Sequence, residues 1–316
     1  MLGYVAGWHR DFDGKHAAIL NRMVMLYALP LNLFASMTGI PRDQILGQGS
    51  LAIAIFIGMA GTYAIVFVVA RFLCGRDLMT SSLQALAIGG PAVPFIGVPV
   101  LSPLFGRASA IPISVASLVM NLIEVPVTLM LLSAGKGANK AAAGGGPPLA
   151  SHLVGALREP VVWAPLLALV LVLVGAKPVS PIQESLFLLG QSTGGVALFA
   201  SGIVLFSRRV TISLPTGISV LIRNIIVPAA AWALLLAARV APETTREAVL
   251  TLAMPTASLC VILAVQYQTA EQEMASTLFF STILSVVTMG AFIWLTASHG
   301  PSNKCAMKRI QHRSLP

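Results

Sequence analysis

The stretch Ala85–Gly106 reads ALAIGGPAVPFIGVPVLSPLFG and decides the fold. It is as apolar as a membrane-spanning helix, yet Gly89, Gly90 and Pro91 interrupt it near its middle. Proline lacks a backbone N–H and clashes with the carbonyl one turn back, and glycine favours an open backbone. We therefore expect a discontinuous helix whose two halves meet inside the membrane.

A second interrupted stretch lies in the other half of the chain. Thr251–Tyr267 reads TLAMPTASLCVILAVQY, and Pro255 interrupts it. Each interruption falls in the fourth apolar element of its half, a pattern typical of secondary transporters built from inverted repeats. Unpaired backbone groups cost several kcal/mol in hydrocarbon, so broken helices survive only where they line a cavity or lie buried in protein. Two matched breaks therefore predict one shared polar site.

The composition predicts an all-α polytopic membrane protein that lies in a lipid bilayer. Of the 316 residues, 56% are hydrophobic and 10% are charged, whereas charged residues make up about 25% of a typical soluble domain. The 20 Lys and Arg outnumber the 11 Asp and Glu, but they lie mostly between apolar runs, which indicates membrane topology and not nucleic-acid binding. The bias to Ala, Gly and Arg is typical of the bacterial inner (cytoplasmic) membrane. The scattered cysteines predict no metal site.

The apolar runs divide the chain into two halves. The opening Met1–Trp8 is too short to span a bilayer and is interpreted as a truncated first helix. About nine full spans follow, near residues 16–39, 50–74, 79–105, 109–133, 160–176, 182–206, 215–238, 245–267 and 273–297. We assign residues 1–134 to a first inverted repeat, 135–159 to a cytoplasmic linker, 160–298 to a second repeat and 299–316 to a polar tail. The linker placement follows the positive-inside rule, although the tail cations would then lie outside.

The two breaks supply the candidate binding residues. Opposed half-helices present free N–H groups with partial positive charge, which suit an organic anion. The residues expected to surround this anion are Gly90, Pro91, Ala92, Pro94, Pro255, Thr256 and Ser258. Asn32 and Gln191 are further polar candidates inside spans, where hydrogen bonding between helices explains them equally well. No residue is expected to be catalytic.

Glu124 and Arg223 are charged residues within predicted spans. An acid or arginine at the bilayer centre costs about 2.5–3.5 kcal/mol on insertion scales, so both should face protein or water. Glu124 could carry a proton during transport, and Arg223 could attract an anion. The alternative for Glu124 is a structural role as a partner of Arg223 or of a backbone group freed by Pro126. The alternative for Arg223 is a position near an interface. H⁺ and Na⁺ are the candidate coupling ions, and no other cofactor is expected.

Several stretches resemble the auxin efflux carrier family, in particular its bacterial malonate-carrier branch. They are PAVPFIGVPVLSPLFG from Pro91, LNRMVMLYALPLNLF from Leu20, LFASGIVL from Leu198 and LAMPTASLCVILAVQY from Leu252. The resemblance implies ten helices in two inverted sets of five, with helices four and nine crossing at their prolines. It also implies an elevator-like motion and a homodimer. Many members carry asparagine where this chain has Ala92, which favours a small carboxylate such as malonate over auxin.

These observations predict a secondary active transporter of a small organic anion. The alternatives are a cation–proton antiporter of related crossed-helix fold and a passive channel. An antiporter would need acids beside the breaks, and no Asp or Glu lies within residues 83–105 or 248–268. An enzyme is not expected, because the G-x-S-x-G spacing at Gly190–Gly194 lies inside an apolar run and not on a strand-to-helix turn.

Overall fold

The computed structural model describes residues 2–9, 11–12, 14–38, 49–142, 160–175, 180–207 and 213–298. Within these ranges the chain is helical, and its β-pairing is limited to one isolated antiparallel bridge between Pro91 and Thr256. The predicted polar tail and most of the predicted linker lie outside the described residues.

The helices of the described ranges extend from Leu2 to Ser298. In chain order they are α1 (Leu2–Trp8), α2 (Gly14–Met23), α3 (Leu29–Thr38), α4 (Gly49–Phe56), α5 (Thr62–Val68), α6 (Leu78–Gly89), α7 (Val93–Phe105), α8 (Ala110–Val119), α9 (Val125–Ala142), α10 (Pro160–Val174), α11 (Ser180–Ser207), α12 (Leu214–Leu221), α13 (Val227–Ala237), α14 (Pro242–Leu252), α15 (Leu259–Tyr267) and α16 (Glu271–Ser298).

Four helical stretches of the described chain are long and apolar enough to cross a membrane. They are Gly49–Leu73, Ile111–Lys136, Leu214–Ala237 and Glu271–Ala297. In the most apolar window of Ile111–Lys136, 67% of the residues are buried, against 22–28% in the other three. Ile111–Lys136 is therefore an interior helix, whereas the other three present broad apolar faces outward. These four stretches support the all-α membrane fold, and the full set of nine spans remains a prediction.

Helix α9 continues to Ala142, past residue 135, where the sequence suggested that a linker begins. Gly135 does not end this helix. A Cβ added to it would clash with Cγ of Met79, so the glycine allows α9 to pack closely on α6. The glycine-rich composition that indicated a loop at this position is explained in part by packing.

Three of the helices contain a wide π-helical turn just before a proline. The π segments are Val24–Ala28, Met120–Glu124 and Ile222–Ile226, and each is followed two residues later by proline, at positions 30, 126 and 228. A wider turn relieves the clash between the proline ring and the preceding carbonyl. The second and third turns carry Glu124 and Arg223, so they position both charged residues.

The helices form two groups by their contacts. In the first group, α1, α2, α3, α10 and α11 pack mainly on one another. Glycines bring α1 and α11 very close: a Cβ on Gly202 would lie 2.8 Å from the backbone N of Tyr4. The second group contains the remaining helices, including both interrupted ones. It meets the first through contacts of α2 and α11 with α15, of α11 with α16, and of α10 with α9 and the π turn Met120–Glu124.

Candidate functional site: the helix crossing

Both interruptions lie where the prolines and glycines suggested. Helix α6 ends at Gly89, Gly90 is extended (φ −88°, ψ 103°), and α7 begins at Val93. Helix α14 ends at Leu252, and α15 begins at Leu259. Each interrupted helix therefore has one half that ends at the break and another that starts just beyond it.

The two breaks are joined directly through their backbones. The N–H of Ala92 donates to the carbonyl of Pro255 at 2.9 Å, and the N–H of Ala257 donates to the carbonyl of Gly90 at 3.1 Å. The hydroxyl of Thr256 donates to the carbonyl of Ala87 at 2.9 Å. These bonds satisfy backbone groups that the helices leave free, as a buried break requires.

The two interrupted helices pass through the molecule in opposite directions. At one end, Arg76, just before α6, forms a 2.7 Å ion pair with Glu273 at the start of α16. On that same side, Ser133 of α9 lies 3.2 Å from the hydroxyl of Tyr267, where α15 ends. At the other end, the guanidinium of Arg246 in α14 lies 5.5 Å from the ring of Phe105, the last residue of α7. Thus α6–α7 starts on the side where α14–α15 ends.

Arg223 is fully buried and binds carbonyl oxygens from both breaks. Its Nη1 donates to Ile88 at 2.8 Å, while Nε and Nη2 donate to Met254 at 3.0 and 2.8 Å. These carbonyls lie at the ends of α6 and α14, where the helix dipole is negative. The arginine therefore caps both half-helices, and its hydrogen-bonding capacity is largely used by the protein itself.

A second polar chain supports the break after α14. The side chain of Asn224 donates to the carbonyl of Ser281 at 2.7 Å and accepts from the Ser281 hydroxyl at 2.7 Å. The same hydroxyl oxygen accepts the N–H of Thr256 at 3.1 Å. Neither Asn224 nor Ser281 was predicted from the sequence. Asn224 is adjacent to Arg223 in a proline-linked π turn, a signal that could have found it, whereas Ser281 carries no comparable signal.

Glu124 is fully buried beside the first break. Its Oε1 lies 3.2 Å from the position of a Cβ on Gly89, and its Oε2 lies 3.1 Å from that of a Cβ on Gly90. Neither oxygen accepts a hydrogen bond from the protein. Glu124 thus approaches the break without forming the direct pair with Arg223 that the sequence left open.

The candidate binding residues divide between the two helix groups. Six of them lie at the joined breaks, namely Gly90, Pro91, Ala92, Pro255, Thr256 and Ser258, and all six are buried. The Ser258 hydroxyl, at the start of α15, has no hydrogen-bond partner. Pro94 lies in the first turn of α7.

Asn32 and Gln191 lie in α3 and α11, which belong to the first helix group. There the backbone N of Asn32 lies 2.7 Å from the position of a Cβ on Gly190. This close approach makes Asn32 part of the packing between α3 and α11.

Comparison with known proteins assigns the family. The family model described as membrane transport protein, which represents the auxin efflux carriers, matches residues 1–293. The chain belongs to this family. It is 29% identical over 298 residues to the "Uncharacterized transporter YfdV" of Escherichia coli K12, covering 94% of both chains. It is also 23% identical over 302 residues to a Rhizobium meliloti protein named "Putative malonate transporter", covering 94% of this chain and 92% of that protein.

Membership in this transport family gives the general activity. The chain is a membrane transporter, and its helical apolar spans agree with that activity. The family is one of transporters and not of enzymes. Its named relatives come from bacteria.

Proposed function

We propose that this protein is a secondary active transporter that carries a small organic anion, such as malonate or another carboxylate, across the bacterial cytoplasmic membrane. The observation that carries the proposal is the pair of interrupted helices joined at Pro91 and Thr256. Interrupted, crossed helices near mid-membrane are the usual construction of substrate sites in secondary transporters.

The starts of α7 and α15 favour an anion as the substrate. Both helices begin at the crossing, and helix N-termini carry partial positive charge, which favours an anion. The buried Ser258 hydroxyl, which has no partner in the protein, can donate to a carboxylate. The positive charge of Arg223 lies on the same backbone segments. A carboxylate at this position would meet donors and no neighbouring acid other than Glu124.

The two helix groups support an elevator-type motion. The crossing residues are buried, so a substrate can reach them only if the protein moves. The group that contains both interrupted helices can move as a unit against the other group, because reciprocal backbone bonds hold the breaks together. The opposite directions of α6–α7 and α14–α15 support two inverted repeats of five helices. A homodimer is part of this proposal, as the family resemblance implies.

A cation–proton antiporter is the second candidate, and Glu124 is the observation that favours it. Its buried, unbonded carboxylate could hold a cation. It is nevertheless a single acid next to a guanidinium, and residues 83–105 and 248–268 carry no other. An anion carrier also explains the helix starts and the unpaired Ser258 hydroxyl at the crossing, which a cation site does not.

Counterflow in proteoliposomes tests the proposal. Vesicles loaded with unlabelled malonate should take up labelled malonate faster than empty vesicles, a result that a passive channel does not give. Ser258→Ala should weaken the apparent affinity, whereas Ser192→Ala, at an exposed serine of α11, should leave it unchanged. If neither malonate nor succinate nor lactate accelerates uptake, or if a Na⁺ gradient drives proton release without any anion, the proposal is wrong.

A further inference from the structure

We propose that Glu124 and the transported anion are alternative counter-charges of Arg223, so that a proton binds Glu124 whenever an anion binds at the crossing. This inference rests on the proposed function and specifies its coupling. It makes the protein a proton–anion symporter in which the two ligands bind cooperatively.

The first support is that Arg223 is a permanent buried charge. Its guanidinium is fully buried and held by the carbonyls of Ile88 and Met254. These bonds fix it in place, but neutral carbonyls do not cancel its net charge. A buried charge without a counter-charge is strongly unfavourable. The crossing therefore requires one negative charge nearby, whether or not substrate is bound.

The second support is that Glu124 reaches the same backbone segment as Arg223. Its two oxygens lie against Gly89 and Gly90, where a Cβ would sit within 3.2 Å and 3.1 Å of them. Arg223 binds the carbonyl of Ile88, directly before these glycines. The glycines leave room for the carboxylate, so the two charges act on one stretch of backbone without a direct hydrogen bond. Glu124 can therefore lose its charge without breaking any bond to the protein.

The other groups around Glu124 leave it as the site of protonation. Tyr63 packs against Gly89, and its hydroxyl is 2.8 Å from that of Thr128. Helix α10 and the π turn Ile57–Gly61 also pack on the segment that contains Glu124, and neither carries an ionisable side chain. Among the described neighbours, only Arg223 and Tyr63 are ionisable, and both ordinarily keep their protons at neutral pH.

The charge count then determines the coupling. In the substrate-free state of this scheme, Glu124 is ionised and balances Arg223. A bound carboxylate adds a negative charge, and like charges that share a site disfavour ionisation of one another. Glu124 then takes a proton from water at a carboxylate oxygen and releases it when the anion leaves. For a carboxylate that binds as a monoanion, such as hydrogen malonate, Arg223 is balanced in both states, so neither state buries an uncompensated charge.

Malonate binding to the purified full-length protein tests this inference. Wild-type Kd should rise by up to about tenfold per pH unit between about pH 5.5 and 8, the limiting slope for one linked proton. Glu124→Gln, which resembles the protonated acid, should remove the part of this pH dependence that comes from the proton on Glu124. Malonate's own titration is common to both proteins and cancels in the comparison. A pH dye in weak buffer should report an extra proton taken up per bound malonate in the wild type only.

Transport separates the coupling from the site itself. Glu124→Gln should still exchange labelled for unlabelled malonate in counterflow but should lose accumulation driven by a pH gradient. Glu243→Gln, at an exposed acid of α14, should behave as the wild type. Equal pH slopes and proton uptake in wild type and Glu124→Gln would overturn the inference, as would accumulation driven by Na⁺ and not by protons. If malonate does not bind either protein at any pH, the proposed substrate is wrong, which is a different result.

Discussion

Nε and Nη2 of Arg223 both donate to the carbonyl oxygen of Met254, at 3.0 and 2.8 Å. A single side chain from a π turn thereby caps the half-helix α14 while its Nη1 caps α6 through Ile88. The geometry uses the planar fork of the guanidinium, which an ammonium group does not have. Arg223 is therefore a structural part of the crossing as well as its positive charge.

Replacing Arg223 should lower stability substantially. Arg223→Met leaves the Ile88 and Met254 carbonyls unpaired, at about 1–3 kcal/mol each, and leaves Glu124 without a counter-charge. In thermal unfolding in detergent, Arg223→Met should show a clear fall in Tm. The Tm of Arg223→Lys should lie between those of Arg223→Met and the wild type. Adding Glu124→Gln to Arg223→Met should recover part of the loss, because it removes the unpaired acid. Arg22→Met, at an exposed position, is the control; an equal Tm in Arg223→Met and the wild type would refute the capping role.

Replacing either break proline should impair transport more than folding. Proline within a helix costs about 3 kcal/mol, so Pro91→Ala or Pro255→Ala removes a penalty of that order on a continuous helix. The backbone bonds of Ala92 and Ala257 then compete with a straighter helix. Malonate counterflow should slow while the protein still inserts and purifies. Pro242→Ala, at the tolerated first position of α14, should retain normal kinetics, and normal kinetics in both break variants would reject the crossing as the site.

Asp77 should make stability depend on acid pH. Burial alone would raise its pKa, but hydrogen bonds from Thr80 and from the backbone of Asp77 and Met79 together outweigh this and hold the pKa of Asp77 below its usual value of 3.8. Its carboxylate accepts the Thr80 N–H at 2.9 Å and so caps the start of α6. This contribution is present at neutral pH and is lost as the pH falls through the lowered pKa of the folded state.

Asp77→Ala should therefore reduce the free energy of unfolding by about 1 kcal/mol at pH 7. The difference should shrink below pH 3.8, the usual value for this side chain. Asp77→Asn keeps the capping oxygen without the charge. It should retain most of the stability both at pH 7 and below pH 3.8. A constant difference between wild type and Asp77→Ala across this range would contradict the assignment.

Two glycines of α11 should respond in opposite ways to the same substitution. Nothing lies within 4 Å of a Cβ on Gly195, whereas a Cβ on Gly202 would meet the Tyr4 backbone N at 2.8 Å. Gly195→Ala should stabilise the protein by up to about 1 kcal/mol, because alanine favours helix. Gly202→Ala should destabilise it by about 1–3 kcal/mol, because α1 must move. Paired Tm measurements check both, and a stabilised Gly202→Ala would show that α1 does not pack against α11 at this position.

The sequence predicted those features that depend on local chemistry. Glycine and proline restrict their own backbone, so Gly90, Pro91 and Pro255 indicated where the helices stop. The role of Arg223 could not be settled in the same way, because its partners Ile88 and Met254 are distant in sequence and offer only backbone atoms. Ser281 gave no signal, because a serine in an apolar helix can satisfy itself within its own turn. The end of α9 was missed because the packing of Gly135 on Met79 is tertiary.

The joint between the two breaks is made of peptide groups, through Ala92 with Pro255 and Ala257 with Gly90. Every amino acid except proline supplies the same amide and carbonyl, so this joint survives many changes of side chain. Evolution could therefore alter the residues that recognise cargo, and so change what is carried, without rebuilding the joint between the two breaks. Diversification of cargo within this architecture requires few compensating mutations.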